Sequence, residues 1–383
     1  MIAQRVLIQG GGIGGLIAAT ALAQRGVEVD VVEHRPAASV LGVGLIQPPN
    51  ALRVMAEIGV LDDCLAAGYQ GDGTQVIGPD GTIIAQVPAP PPADLPTTGN
   101  GIQRRELCRI LLGAAVKAGA RLCHGATIAT IADDGDDDGD GVTATFRGDS
   151  APASGRYDLL LGFDGVRSAI RRHLFGEKYE PQLTGFSVWR VSLPRPAELE
   201  RTVFAFAGQV KATLIPLSTN DCYLALVAPE GTPQHGLSGP DAIAQMQGML
   251  SRFGGWIGLL RDVIDGQGSA AYGPIEQVTV AEPWARGRIL IGGDAAHATS
   301  PHMAQGAAMA AEDAIVLAAE LDRGERLDQA LDAWYRRRLP RATLVQNYSA
   351  ALMRQEQGDP TDSDLRLLEL PVPAVQARLA QPY

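Results

Sequence analysis

The chain has 383 residues, 46% hydrophobic and 20% charged, which is enough apolar material for one large α/β body with an insertion or for several folding units. A formal charge of −11 and a pI near 5.1 argue against non-specific binding to nucleic acid or anionic membranes, because phosphate attraction needs a surplus of Lys and Arg. Cys64, Cys108, Cys123 and Cys222 lie far apart with no CxxC, and there is neither a leader pattern nor a long apolar run. The expectation is a reduced, cytoplasmic protein, monomer or homodimer, with no membrane span and no structural zinc.

In chain order, Arg5–Gln9 reads as a short buried strand. Gly10–Gly15 follows, then an apolar helical face (Leu16, Ala19, Leu22, Ala23) up to Gly26 and a second strand, Val27 to Val32, ending at Glu33. Helices are expected over Ala51–Ile58 and Glu106–Val116. The run VPAPPPADLP (Val87–Pro96) suits neither helix nor central sheet and reads as a stiff connector. Asp133–Gly141 reads as a solvated hairpin loop; it mimics the start of a calcium loop from Asp136, but the closing acidic position falls on Arg147.

Asp158–Gly162 is a third strand, and Asp164–Phe175 turns into a helix. Between about 178 and 276 the chain alternates, with strands at Gly185–Leu193, Val203–Phe206, Ala212–Leu217 and Tyr223–Val227 and a helix near Ala242–Phe253. Arg288–Gly292 returns to a buried strand, and Gln305–Leu321 is helical. The fold class expected is α/β: a Rossmann-like body, an inserted and mainly antiparallel β-sheet domain, and C-terminal helices.

Three motifs each follow directly on a strand. Gly10, Gly12 and Gly15 satisfy GxGxxG, with Gly14 beside them. Such glycines permit a tight turn, a close approach of pyrophosphate to backbone, and helix–strand packing, while Glu33 ends the next strand where a ribose contact is made. Asp164-Gly165 with Arg167, Ser168 and Arg171 forms the second motif, and GGDAAHATSPHMAQGAAMAAED from Gly292 to Asp313 the third.

Taken together, and in this order, they resemble the class A FAD-dependent aromatic hydroxylases, the para-hydroxybenzoate hydroxylase-like flavoprotein monooxygenases. Glu33-His34-Arg35, the Gly42–Asn50 run, Ile102–Leu107, Trp189-Arg190 and Tyr335 through Arg341 extend the resemblance from residue 5 to about 345. In length and in the PHMAQG wording it is nearest to salicylate, 6-hydroxynicotinate and urate hydroxylases. A departure is Phe163, where relatives carry a small residue.

The resemblance implies that Gly10, Gly12, Gly14, Gly15, Glu33 and Arg35 hold the ADP half of FAD and that Arg104 reaches its ribityl or pyrophosphate region. Asp164, with Arg167 or Arg171 as a cationic companion, belongs to a motif serving FAD and the nicotinamide cofactor. Asp294 binds a ribityl hydroxyl, Pro301 makes a bend, and the helix starting at Gly306 and Ala307 aims its N–H groups at the flavin. It further implies that NADPH or NADH reduces the FAD, and that O2 then forms a flavin hydroperoxide which hydroxylates a small aromatic or heteroaromatic substrate. Residues 1–72, 98–177 and 277–350 would form the FAD-binding domain, 73–97 and 178–276 the substrate domain, and 351–383 a tail.

Several side chains stay open between two roles. His297 and His302 with Asp294 lack the spacing of a metal triad; His297 is read as structural, and His302 as either structural or pocket-lining. Lys211 stands where urate-hydroxylase relatives place a cation against substrate, or is an exposed strand-edge lysine. Tyr223 presents its phenol to the pocket or is half-core, and Gln47 is a further lining candidate. The rival functions are another flavoenzyme on this scaffold (an epoxidase or a prenyl-chain reductase; a halogenase is disfavoured, since its WxWxIP signature is absent) and a non-catalytic FAD-binding sensor.

Overall fold

The computed structural model describes residues 2–36, 43–133, 141–148, 150, 154–234, 236–237, 239–267 and 270–383. Its first sheet has six strands in the order Ala285–Arg286, Ile289–Ile291, Leu159–Gly162, Arg5–Gln9, Glu28–Glu33 and Arg121–His124, parallel apart from the first pair. The inner strands read RVLIQ, LLLG and ILI, near-continuous apolar runs, as expected of parallel strands covered on both faces.

The helix Ile13–Ala23 packs between the helices Arg104–Ala118 and Gly306–Arg323, and every residue from Ile13 to Leu22 is buried. An apolar surface all round is what an enclosed helix requires. Because the three motifs all follow the carboxyl ends of neighbouring parallel strands, the sheet brings them to one crevice, the place where ligands bind in such folds.

The second sheet has seven strands: Ala271–Gln277, Gln182–Pro194, Asp221–Pro229, Val210–Pro216, Thr202–Ala207, Gly73–Ile77 and Ile83–Pro88. All its pairs are antiparallel except Thr202–Ala207 with Gly73–Ile77. Strand alternation gives it two faces. Val203, Ala205, Ala212, Leu214, Leu224 and Leu226 bury against the helices Gly239–Leu250 and Gly255–Val263, while Ile215, Tyr223 and Val227 meet Met353 and Ile46 on the other side.

Three expectations change. Val87 and Pro88 open the connector but belong to the edge strand Ile83–Pro88, an edge being where proline is tolerated in a sheet. Residues 351–357 are not tail: they complete the helix Leu327–Gln357, which runs 31 residues through Pro340. The rest of the C-terminus packs on its own chain, with Arg341 donating to the Leu379 carbonyl at 2.8 Å and the Tyr383 hydroxyl bonding Glu57 at 2.8 Å. The hairpin expected at Asp133–Gly141 falls on residues 134–140, outside those described. Among the described residues no helix is long and apolar enough to cross a membrane.

Candidate cofactor and substrate site

The glycine loop is shaped by its neighbours. Gly10 has φ 109°, and a Cβ there would lie 2.3 Å from the Phe163 carbonyl oxygen; one on Gly15 would lie 1.9 Å from the Gly10 carbonyl oxygen. Gly12 is extended (φ −79°, ψ −173°), and a Cβ on it would meet nothing within 4 Å, so the approach to the N-terminus of the helix Ile13–Ala23 is open. Glu33 stands beside it, accepting from the Gly11 N–H at 2.8 Å and from the Arg35 N–H at 2.9 Å. Arg35 is exposed, as is Arg104 at the first turn of the helix Arg104–Ala118.

Gly14 serves packing rather than ligand approach. A Cβ there would lie 2.6 Å from the Phe163 ring and 3.1 Å from the Ala310 Cβ. The Phe163 ring also fills the space over Gly292, where a Cβ would sit 2.8 Å from it. This accounts for the departure at Phe163: the glycines of two motifs make room for its ring.

Asp164 accepts from the Ala169 and Ile170 N–H groups at 2.7 and 3.2 Å, tying down the first turn of the helix Ala169–Phe175; its Oδ1 is buried without a partner. Burial pushes this carboxyl above the usual carboxylate range despite those donors. The expected cationic companions are engaged elsewhere. Arg171 donates to the carbonyls of Ala295 (3.1 Å) and Val166 (2.7 Å), stapling the second motif to the third, and Arg167 pairs with Glu276 at 3.3 Å.

The third motif hangs on a buried charge network. Asp313 accepts from the Gly293 N–H at 2.8 Å, from His297 Nε2 at 2.5 Å and from Arg338 Nε at 2.7 Å. Glu312 binds Arg338, Arg341 and, at 2.7 Å, Asn50 Nδ2, which also donates to Gln305 Oε1 at 3.0 Å. His297 packs on Trp284 with ring centroids 4.9 Å apart, so it is structural, and His302 does not converge on it.

The network leaves Asp294 exposed, with its Oδ1 3.9 Å from where a Cβ on Gly306 would lie. Pro301–Met303 makes one 3-10 turn. Ala304 is left-handed (φ 53°), the only such non-glycine among the described residues, and the helix Gly306–Arg323 starts just beyond, with Ala307 in its first turn.

Across from this loop, the second sheet presents rows of side chains set by register. Phe206, Lys211, Val227 and Val188 form one row and Phe204, Thr213, Ala225 and Arg190 the next, with Ile215 and Tyr223 beyond. Phe204, Phe206, Thr213 and Arg190 are only half-buried although their strands are internal, so this face is partly open. Arg190 Nε donates to the Tyr223 hydroxyl at 3.1 Å.

Lys211 is not an exposed edge lysine. It lies on an interior strand at 8% exposure, its ammonium 5.5 and 5.6 Å from the Phe204 and Phe206 ring centroids. It pairs with Glu356 at 2.7 Å, and His302 Nε2 lies 3.2 Å from the same carboxylate. His302 Nδ1 is 3.0 Å from Ser300 Oγ. Burial holds the imidazole below its ordinary pKa, and although burial also works against the Glu356 carboxylate, His302 and Lys211 keep it ionised below the usual range.

Gln47 does not join this group. It is 1% exposed and its Oε1 accepts from Asn100 Nδ2 at 2.9 Å. Glu356, Arg190 and Asp313 are members that sequence reasoning did not single out.

FAD fits the crevice on three observations: the open backbone at Gly12, the orphaned buried oxygen of Asp164, and Asp294 exposed beside the start of a long helix. The comparisons agree. The model of the family described as FAD binding domain matches residues 3–226 and 274–349. The chain is 34% identical to YetM of Bacillus subtilis, over 94% of this chain and 96% of that one. It is 29% identical to 6-hydroxynicotinate 3-monooxygenase of Bordetella bronchiseptica, over 82% of this chain and 81% of that one. Among solved structures, HpxO of Klebsiella pneumoniae complexed with FAD superposes with a TM-score of 0.79 at 23% identity, covering 99% of this chain and 95% of that one. The chain belongs to the FAD-binding-domain family and is an FAD-dependent monooxygenase of the aromatic hydroxylase type.

Proposed function

We propose that the enzyme uses NADH or NADPH and O2 to place one oxygen atom on a small aromatic or heteroaromatic ring. The ring is held between the loop 301–306 and the face of the second sheet that carries Phe204, Phe206 and Tyr223. The observation behind this reading is that open, aromatic face on internal strands, linked through Lys211, Glu356 and His302 to the loop that opens the helix at Gly306. Residues 1–72, 98–177 and 277–350 would hold the cofactor and 73–97 with 178–276 cover the substrate; Glu356 adds the end of the long helix to that cover. Relatives include an aurachin C monooxygenase/isomerase of Stigmatella aurantiaca, a monooxygenase acting on aurachin C, and the 6-hydroxynicotinate enzyme, so the substrate class is read from names of that kind.

FAD, when bound, accepts the electrons of the reductant and delivers the oxygen atom. The residues of this chain do the rest. Gly12 and the following helix start receive the pyrophosphate, and Asp294 orients the ribityl chain. The N–H groups at Gly306 and Ala307 stabilise negative charge at the ring edge. Tyr223, with Arg190 donating to its oxygen, keeps its own proton free to bond a ring substituent.

A panel of phenolic acids, hydroxypyridines, purines and indoles tests this. At least one should accelerate NAD(P)H oxidation and emerge one oxygen atom heavier; a panel yielding only peroxide would remove the proposal. With the substrate in hand, Tyr223→Phe should lower kcat by about a hundredfold and move KM little, as for a proton-handling group. A change confined to KM would make Tyr223 a packing residue.

A further inference from the structure

Resting on that reading of the sheet face, we infer that Glu356 sets the charge of the substrate site. It neutralises the one lysine in the aromatic cradle, so that the ring bound there is uncharged and ring carboxylates are excluded.

The cradle is Phe204 and Phe206 on one strand with Lys211 on the next, Phe206 directly opposite Lys211 in register. A buried ammonium between two aromatic faces would ordinarily be an anchor for an acidic ring, because an unmatched charge there is costly and an incoming carboxylate would remove the cost. In this chain the anion is supplied from within. Glu356 comes from the last turn of the helix Leu327–Gln357, and that turn is fixed in place. Met353 packs against the sheet face, and the Gln357 carbonyl accepts from Gln209 Nε2 at 3.1 Å, two residues before Lys211.

The side chains of Lys211, Glu356 and His302 are 10%, 21% and 1% exposed, so the group is enclosed and its charges are weakly screened. With the imidazole neutral, Lys211 and Glu356 sum to zero. A ring carboxylate entering beside Lys211 would meet Glu356 as a like charge and would have to break a pair already made. Arg190, the other cation on this face, lies in the next row at the far strand, with its Nε on Tyr223.

The test uses the FAD-loaded protein and two matched pairs of probes, phenol against salicylate and indole against indole carboxylate, read as perturbation of the bound flavin spectrum. Wild type should bind each uncharged member at least about tenfold more tightly than its carboxylate, and Glu356→Gln should shrink or invert that ratio by about tenfold. Lys211→Gln approaches from the other side: it leaves the Glu356 charge unmatched and should widen the preference. This second variant keeps the inference open to refutation where Glu356→Gln does not fold. A wild-type preference for carboxylates, or ratios unmoved by both variants, overturns the charge assignment alone. If no probe perturbs the flavin in any of the proteins, the sheet face is not the ring site, and the reading under Proposed function falls with it.

Discussion

Asp313→Ala is expected to cost about 3–5 kcal/mol of stability and most of the bound FAD. The carboxylate is fully buried and does three things at once: it accepts from the Gly293 backbone just before Asp294, it holds His297, and it pairs with Arg338. Its removal leaves a guanidinium with no exposure matched by Glu312 alone, while Glu312 is already shared with Arg341 and Asn50. The loss reaches the cofactor because Gly293 (φ 60°) sets the direction of Asp294 and Asn50 sets Gln305 at the head of the helix Gly306–Arg323.

Acid sensitivity should change with it. Burial raises the Asp313 carboxyl, but His297 and Arg338 outweigh it and hold the group down to about 2. A carboxyl depressed in the folded state gives stability that is complete above the ordinary carboxylate range and is lost as pH falls from there through about 2. Wild type should therefore lose stability over that window more steeply than Asp313→Ala. Denaturant unfolding at several pH values, with flavin-to-protein ratios beside it, checks both parts; a variant with unchanged unfolding midpoint and full FAD would show that the network is dispensable.

How much of this was legible in the sequence follows from the range of the interactions. The three motifs were readable because each is a local device: a glycine spacing or an Asp-Gly step directly after a strand. The sheet that gathers them is itself a set of short apolar runs. The second sheet was readable by its alternation, and parity alone places Lys211 and Tyr223 on one face, since Thr213 and Ile215 lie between them in phase.

What alternation does not carry is the partner across the fold. Lys211 and Glu356 are 145 residues apart, and the helix that delivers Glu356 contains Pro340, which reads as a break. Glu312 and Asp313 look like the polar side of an amphipathic helix; they are buried because Arg338 and Arg341 arrive from the next helix, 25 and 29 residues on. Gly14 fits a ligand pattern by spacing, yet its missing side chain is filled by Phe163, the residue that looked out of place.

The glycine loop gives the second large effect, because two of its positions should fail in different ways. Gly15→Ala introduces a Cβ 1.9 Å from the Gly10 carbonyl oxygen, a backbone atom fixed by strand Arg5–Gln9 and unable to swing aside. The loop or the helix start must move, at a cost of about 3 kcal/mol, and FAD binding goes with it. Gly12→Ala is the opposite case: φ −79° suits alanine and the new Cβ touches nothing within 4 Å.

The fold should therefore hold to within about 0.5 kcal/mol in Gly12→Ala. If that open space is where the pyrophosphate meets the helix N-terminus, the methyl group will hold the phosphates off the N–H groups and weaken FAD binding by about tenfold or more. Thermal unfolding of the FAD-free proteins separates the two variants, and flavin titration then shows what they share. Gly12→Ala with both normal stability and normal FAD affinity would move the pyrophosphate away from this loop, whereas normal stability with lost affinity makes Gly12 a site residue rather than a residue of the fold.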